Sequence, residues 1–232
     1  RCPHARVPGE RWAGNFDSRE QVNHNINLPL ILASGSPRRS ALLSQMGIPF
    51  EVQVSGVDES DAAFDDPVEG TRALALQKAM TVASRQKEYG RIVLGADSIV
   101  VVGGDVLGKP ADVDDAFRML KRLVGQTHHV ITGIALVETG TGRSIQAHEQ
   151  TLVQMRSCTD DEIAAYVATG EPMDKAGSYG AQGKGAALVE RVEGCFNNVI
   201  GLPVSRLIVE LRLFLIGGPH RGHSAGFSGR NS

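Results

Sequence analysis

Residues 28–43 read LPLILASGSPRRSALL, and this stretch indicates the class of fold. The apolar run at residues 28–33 is typical of a short buried β-strand. Ser36 suits the N-cap of a helix and Pro37 suits its first turn, so a helix is predicted over residues 37–46. A strand that passes through a small glycine loop into a helix is typical of an α/β domain.

The rest of the chain continues this alternation of strands and helices. Hydrophobic periodicity predicts strands at residues 50–54, 91–96, 99–102, 129–137 and 144–156, and helices at residues 67–89, 113–124, 203–216 and from Thr159 onward. The turn Thr139-Gly140-Thr141-Gly142 joins two of these strands as a hairpin, and Asn197 to Pro203 read as a turn into the last helix. The sequence therefore predicts an α/β fold with a mixed sheet and flanking helices.

The predicted folded unit spans residues 28–216. Residues 1–27 lack a hydrophobic period and are expected to form a disordered extension. Residues 217–232 are rich in Gly and Ser and are expected to form a flexible tail.

Composition excludes several classes of function. The chain has 24 basic and 26 acidic residues, a balance that argues against a nucleic-acid partner. No apolar run approaches the ~18–20 residues of a membrane span, so no membrane partner is expected. The three cysteines, Cys2, Cys158 and Cys195, are far apart, which favours a reducing compartment and a cytoplasmic location. The sequence also has no HExxH, GxSxG, Walker-type or GxGxxG motif.

Three groups of charged residues break the usual structural rules. Arg38 and Arg39 lie in the first turn of a predicted helix, where cations are unfavourable unless an anion binds there. Lys78 lies within an apolar helical stripe, so it either snorkels to solvent or meets a carboxylate or phosphate in a cleft. Asp97 interrupts the apolar run RIVLGADSIVVV, so it either caps a turn or serves as a general base or metal ligand.

Other candidates lie in loops. Glu59 follows Asp58 after a strand, and it is either solvated or shares a Mg²⁺ ion with Asp97. Lys109 in Gly-Lys-Pro is either an ordinary loop residue or a phosphate contact. The segment GEPMDKAGSYGAQGKG at residues 170–185 is either a connector or a loop that approaches a ligand, where lysines hold phosphates and Gln182 reads a base.

Seven fragments in this order resemble one family. They are LILASGSPRRSALL, ALALQKA, VLGADSIVV, LGKP, GQTHHVITG, GEPMDKAGSYGAQGKGA and NNVIGLP. Together they closely resemble the Maf family of nucleoside triphosphate pyrophosphatases, over about residues 28–210. The resemblance implies an elongated α/β fold with a deep cleft between two lobes. It also implies hydrolysis of a nucleoside triphosphate to a monophosphate and pyrophosphate with a divalent cation, Mg²⁺ or Mn²⁺.

The resemblance also implies roles for individual residues. Asp97 becomes the proton acceptor, and Glu59 a second acidic group near the metal. The residues expected to hold phosphates are Ser34, Arg38, Arg39, Lys78 and Lys109, with Lys175 in the same cleft. Arg38, Ser98 and Gln182 match the branch that resembles dTTP/UTP pyrophosphatases, although Ser98 stands where Thr is typical.

Two alternatives remain open from the sequence. One is a nucleotide-binding regulator linked to cell division or septum formation, which binds nucleotides without significant turnover. The retained pair Asp97 and Glu59 speaks against it, because a pure binder gains nothing from carboxylates near phosphates. The oligomeric state is also open, and the resemblance is consistent with a homodimer.

Overall fold

A computed structural model describes residues 30–58 and 66–217 of the chain. The strands are β1 (Leu30–Leu32), β2 (Phe50–Val52), β3 (Ile92–Val102), β4 (Asp105–Leu107), β5 (Thr127–Glu138), β6 (Ser144–Met155) and β7 (Val189–Glu193). The α-helices are α1 (Pro37–Gln45), α2 (Pro67–Ala83), α3 (Val113–Leu123), α4 (Asp160–Val167), α5 (Phe196–Ile200) and α6 (Val204–Ile216). Short 3₁₀-helices occupy Glu171–Asp174, Ala176–Ser178 and Gly183–Leu188. The predictions for residues 1–27, Glu59 and residues 218–232 lie outside the described residues.

The strands form one mixed sheet, which confirms the predicted fold class. Within the described residues the order is β2-β1-β3-β5-β6-β7, and β4 pairs with the far end of β3. β1 runs parallel to β2 and β3, whereas β3, β5, β6 and β7 form an antiparallel ladder. Parallel strands need a crossover connection, and α1 and α2 provide the two crossovers around β1.

Helices cover the sheet on both faces. Alternate side chains of each strand point to opposite sides, so each strand contributes to both layers. Leu30, Leu32, Ile92 and Leu94 pack against α1 and α6 in one core. Ile31 and the other residues of opposite parity, Ala33, Val93, Ala135 and Val137, pack against α2 in a second core. Burial on both faces accounts for the continuous apolar runs in these strands.

A third core lies at the other end of the long strands. It joins Val100 of β3, Val130 of β5 and Val153 of β6 to α3, α4 and the 3₁₀ segments. α4 follows the predicted helix start at Thr159, and it begins with a capping box in which the side chains of Thr159 and Glu162 each accept a hydrogen bond from the other's backbone N–H. Among residues 30–58 and 66–217, no helix combines the length and apolar character that a bilayer span requires.

The structure corrects several predicted boundaries. β3 is one strand through Asp97 rather than two segments, because residues 92–101 pair with β5 without a break. α2 ends at Ala83 rather than at residue 89, since residues 84–90 contribute nothing to the core. Residues 196–200 form the short helix α5 rather than a turn.

Candidate active site

The candidate site is a cleft at an interrupted edge of the sheet. β1 pairs with β3 only at residues 92–94, and β4 pairs with it only at residues 100–102. Between them, residues 95–99 of β3 have no strand beside that edge among the described parts of the chain. The cleft opens at this gap and has a volume of about 990 Å³.

The cleft gathers nearly all of the residues that the sequence singles out. It is lined by residues 34–39, 97–100, 108–109, 173–176, 179–183 and 199–201, with Lys78 from α2. The predicted site residues found here are Ser34, Arg38, Arg39, Lys78, Asp97, Ser98, Lys109, Lys175 and Gln182. Glu59 alone of the predicted site residues lies outside the described residues, so the structure does not place it.

Asp97 and Lys78 form a buried ion pair in the middle of the cleft wall. The distance from Lys78 Nζ to Asp97 Oδ1 is 2.7 Å, and their side chains are 5% and 8% exposed. Asp97 therefore neither caps a turn nor leaves its strand, and Lys78 does not snorkel to bulk solvent. A carboxylate in this position accepts protons and coordinates cations, while the ammonium beside it attracts anions.

Small residues on β3 and β5 bring α2 close enough for this pair to form. A Cβ atom added to Gly95 would lie 2.0 Å from the carbonyl oxygen of Ala75, and one added to Gly133 would lie 2.4 Å from the backbone of Thr71. Asp97 lies directly opposite Gly133 in the ladder between β3 and β5. The two glycines thus let the backbone of α2 contact the sheet beside Asp97.

Arg39 is fixed by hydrogen bonds to the loop before α1, to β3 and to the end of α5. Its guanidinium donates to Ser34 Oγ at 2.8 Å, to Ser98 Oγ at 3.0 Å and to the carbonyl of Gly201 at 2.8 Å. Ser98 Oγ also lies 2.9 Å from Thr132 Oγ1 on β5. The hydroxyl of Ser98 on β3 therefore links the Arg39 guanidinium to Thr132 on β5. The hydroxyl of a threonine could make the same two contacts.

Arg38 reaches across the cleft to Asp174, a residue that the sequence did not single out. Arg38 Nη1 lies 2.8 Å from Asp174 Oδ2, and Lys175 Nζ lies 2.6 Å from Asp174 Oδ1. Burial alone would raise the pKa of Asp174, but the hydrogen bonds from Lys175 and Arg38 hold that pKa below its usual range. One carboxylate thus bridges two of the predicted phosphate-binding cations.

Glu171 holds the glycine-rich loop at the mouth of the cleft. Its carboxylate accepts hydrogen bonds from the backbone N–H groups of Lys184 and Gly185 and from the hydroxyl of Tyr166, each at 3.0 Å. Burial alone would raise the pKa of Glu171, but these bonds lower it. Gln182, in the same loop, is exposed and lines the cleft.

A buried polar pair lies behind this loop. His128 Nε2 on β5 is 2.7 Å from the hydroxyl of Tyr179, and the two rings pack edge to face. Burial, helped by the neighbouring His129, lowers the pKa of His128 to about 4. His128 Nδ1 has no hydrogen-bond partner within the described residues. The imidazole is therefore neutral at pH 7, and within residues 30–58 and 66–217 it is not part of a group of three His, Cys, Asp or Glu side chains that could hold zinc.

Comparison with known proteins gives matches that include all of the cleft residues described above. Residues 29–214 match a family model described as Maf-like protein. A relative from Acetivibrio thermocellus is 53% identical over 183 residues, which cover 77% of this chain and 91% of the relative. A relative from Symbiobacterium thermophilum is 52% identical over 80% of this chain and 93% of its own length, and one from Bacillus cytotoxicus is 48% identical over 82% and 97%. All three are named dTTP/UTP pyrophosphatase.

Proposed function

The chain belongs to the Maf family, and we infer that it hydrolyses nucleoside triphosphates, dTTP and UTP foremost, to the monophosphate and pyrophosphate. The observation that carries this proposal is the cleft, in which the buried Lys78–Asp97 pair adjoins arginines and lysines from three other segments. A polyphosphate needs several cations to neutralise it, and hydrolysis needs a base beside the phosphorus that is attacked.

The cations of the cleft are proposed to bind the phosphate chain. Arg39 is held rigidly by three partners, so little conformational entropy is lost when it binds an anion. Arg38 lies beside Arg39 on α1, Lys175 approaches from the opposite wall, and Lys109 follows β4 at the rim. Arginine offers paired donors to phosphate oxygens and lysine offers a mobile point charge, so the set suits a flexible triphosphate.

Asp97 is proposed to accept the proton of the attacking water. The water oxygen forms a bond to the α-phosphorus, the bond from that phosphorus to the bridging oxygen breaks, and pyrophosphate leaves with the electron pair. The proton lost by the water passes to the Asp97 carboxylate. Lys78 holds Asp97 Oδ1 at 2.7 Å, so the second carboxylate oxygen is the one proposed to face the water.

A divalent cation is part of this proposal, and the donors in the cleft fit one. Within residues 30–58 and 66–217 there is no cluster of three His, Cys, Asp or Glu side chains around one point. Mg²⁺ is commonly held by one or two carboxylates together with substrate phosphates, so Asp97, with Glu59 as the second carboxylate, is proposed to share the ion with the phosphate chain. Bound there, Mg²⁺ or Mn²⁺ would supply charge neutralisation at the phosphates.

The preference for a pyrimidine base is assigned to the rim of the cleft. Gln182 is exposed on a loop whose backbone is held by Glu171, and its amide offers both a donor and an acceptor to a base edge. Arg38 and Ser98 complete the proposed specificity set, with Ser98 acting through Arg39. The names of the relatives support this branch of the family.

A regulator without turnover is not favoured, because the relatives are named as pyrophosphatases and the cleft keeps a buried carboxylate. The test is pyrophosphate release from dTTP, UTP, CTP, 7-methyl-GTP and ITP in the presence of Mg²⁺, with and without EDTA. We expect selective release from dTTP and UTP that stops in EDTA. Release mainly from CTP or 7-methyl-GTP would overturn the base preference, and binding without release would restore the regulator.

The role of Asp97 is tested by Asp97→Asn in the same assay. The variant should lose about 100-fold or more of the turnover rate, while it still binds UTP in calorimetry, because removing a general base affects the chemical step. Asp160→Asn is the matched control, since Asp160 is an exposed acid on α4 that pairs with Lys121 away from the cleft. Full activity of Asp97→Asn would show that the base has been assigned wrongly.

The catalytic unit is proposed to be residues 28–216, in agreement with the family match over residues 29–214. A chain that lacks residues 1–27 should therefore hydrolyse UTP with unchanged kcat and KM. The comparison requires both proteins at the same active concentration, determined by nucleotide binding. A loss of activity on truncation would assign a catalytic or binding role to the first 27 residues.

A further inference from the structure

Asp174 has the wrong charge for a cleft that receives a polyphosphate. It is the last residue of the 3₁₀-helix Glu171–Asp174, and its side chain is 61% exposed to the cleft. Asp97 is used as the base, but nothing in the proposed reaction uses Asp174. A carboxylate beside bound phosphates is repelled by them, so its presence calls for a physical reason.

The partners of Asp174 supply that reason. Its two oxygens take one cation each: Oδ2 receives Arg38 Nη1 at 2.8 Å, and Oδ1 receives Lys175 Nζ at 2.6 Å. Arg38 Nη2 also donates to the backbone carbonyl of Asp174 at 3.4 Å. Arg38 belongs to α1 and Lys175 to the segment after the 3₁₀-helix, so this one acid connects opposite walls of the cleft.

We propose that Asp174 competes with the polyphosphate chain for Arg38 and Lys175, and thereby weakens the binding of triphosphate and of the pyrophosphate product. This inference rests on the proposed function, in which both cations bind phosphates. A cleft with so many cations would otherwise retain pyrophosphate strongly after each turnover. Asp174 is suited to the competition because its side chain is exposed and its pair with Arg38 is within reach of water and of a bound phosphate chain. Lys175 is more buried and also donates to the carbonyl of Glu171 at 2.6 Å, so it stays beside the cleft when its pair with Asp174 opens.

The test is the affinity for inorganic pyrophosphate, measured by calorimetry on the full chain. Asp174→Asn keeps the size of the side chain and removes its charge, so pyrophosphate should bind about five-fold more tightly and inhibit UTP hydrolysis at correspondingly lower concentrations. Asp174→Glu keeps the charge and should stay near the wild-type affinity. Asp160→Asn makes the same change at a similarly exposed acid outside the cleft and should leave the affinity unchanged.

The outcomes separate this inference from the proposed function. Arg38→Met and Lys175→Met should each weaken pyrophosphate binding if these cations hold phosphates. If both do so while Asp174→Asn binds pyrophosphate equally or more weakly, Asp174 only positions the cations and the competition is refuted. If Arg38→Met and Lys175→Met leave the affinity unchanged, the phosphate role of these cations fails, and the competition fails with it.

Discussion

At the scale of single residues, the Lys78–Asp97 pair governs both stability and chemistry. Each side chain is less than a tenth exposed, so each charge depends on the other for the solvation that water no longer provides. Such a pair is weak evidence for net stability, yet it is costly to break on one side only. The position of Asp97 inside an apolar strand, paired with Lys78 from α2, therefore points to a functional requirement at this site.

Removing the lysine alone should expose this cost. Lys78→Met leaves the Asp97 carboxylate buried without its cation, and we expect the free energy of unfolding at pH 7 to fall by about 3 kcal/mol or more. Urea denaturation measures the change. The double variant Lys78→Met with Asp97→Asn should recover part of the loss, because no unpaired charge remains. Equal losses in the single and double variants would contradict a coupled pair.

The sequence could identify those cleft residues whose charge is unusual for their local structure. Lys78 on an apolar helical stripe and Asp97 inside an apolar run are each anomalous by themselves, and both line the cleft. Asp174 breaks no local rule, because an acid in a polar loop is ordinary. Its significance comes from Arg38, which is 136 residues away in the chain, so only the folded structure reveals the contact.

At the scale of elements, the contact between α2 and the sheet depends on the absence of a side chain at Gly95. A methyl group there would lie 2.0 Å from the Ala75 carbonyl oxygen and 3.0 Å from Ala79 Cβ. Because the nearest obstructing atom belongs to the backbone of α2, the helix itself must move to make room. We expect Gly95→Ala to lower the free energy of unfolding by about 3 kcal/mol, as measured by urea denaturation.

Gly108→Ala is the matched control for this prediction. A methyl group at Gly108 would meet no atom within 4 Å, and Gly108 has no positive φ angle, so its stability should change by less than about 0.5 kcal/mol. Gly95→Ala should also lower the turnover rate, since a displaced α2 moves Lys78 away from Asp97. A stable, fully active Gly95→Ala protein would mean that the helix adjusts without disturbing the pair.

Most elements were predictable from their apolar patterns, whereas β4 and β7 were not predicted. The hairpin of β5 and β6 and the helices α1, α3 and α6 each begin and end within about two residues of their predicted bounds. β4 has three residues and β7 has five, which is too few for a period to emerge. Both are stabilised by pairing with long strands that lie elsewhere in the sequence.

At the scale of the whole molecule, the long strands β3 and β5 run through both ends of the structure. Their first halves contribute to different cores from their second halves, and the cleft lies where one core gives way to the next. Residues on both sides of the cleft thus belong to one continuous sheet. This continuity explains how Arg38, near the first core, and Lys175, near the other, are held within reach of a single carboxylate.

His128 couples the stability of the whole molecule to pH. Its pKa is about 4 in the folded protein, mainly because it is buried, against an ordinary value of 6.5 that applies once the chain unfolds. As the pH falls through 6.5, the unfolded chain takes up a proton that the folded protein refuses, so stability declines until the pH reaches about 4. A shift of this size corresponds to a loss of about 3 kcal/mol across that window, and no further loss from this group below it.

Replacing the imidazole tests this coupling. His128→Gln keeps a neutral polar group beside Tyr179 and cannot take up a proton, so its free energy of unfolding should fall less steeply between pH 6.5 and pH 4 than that of the wild type. Urea denaturation at each pH gives the difference, and carboxylates elsewhere cancel because both proteins contain them. Identical slopes for His128→Gln and the wild type would mean that His128 becomes protonated in the folded protein as readily as in the unfolded chain.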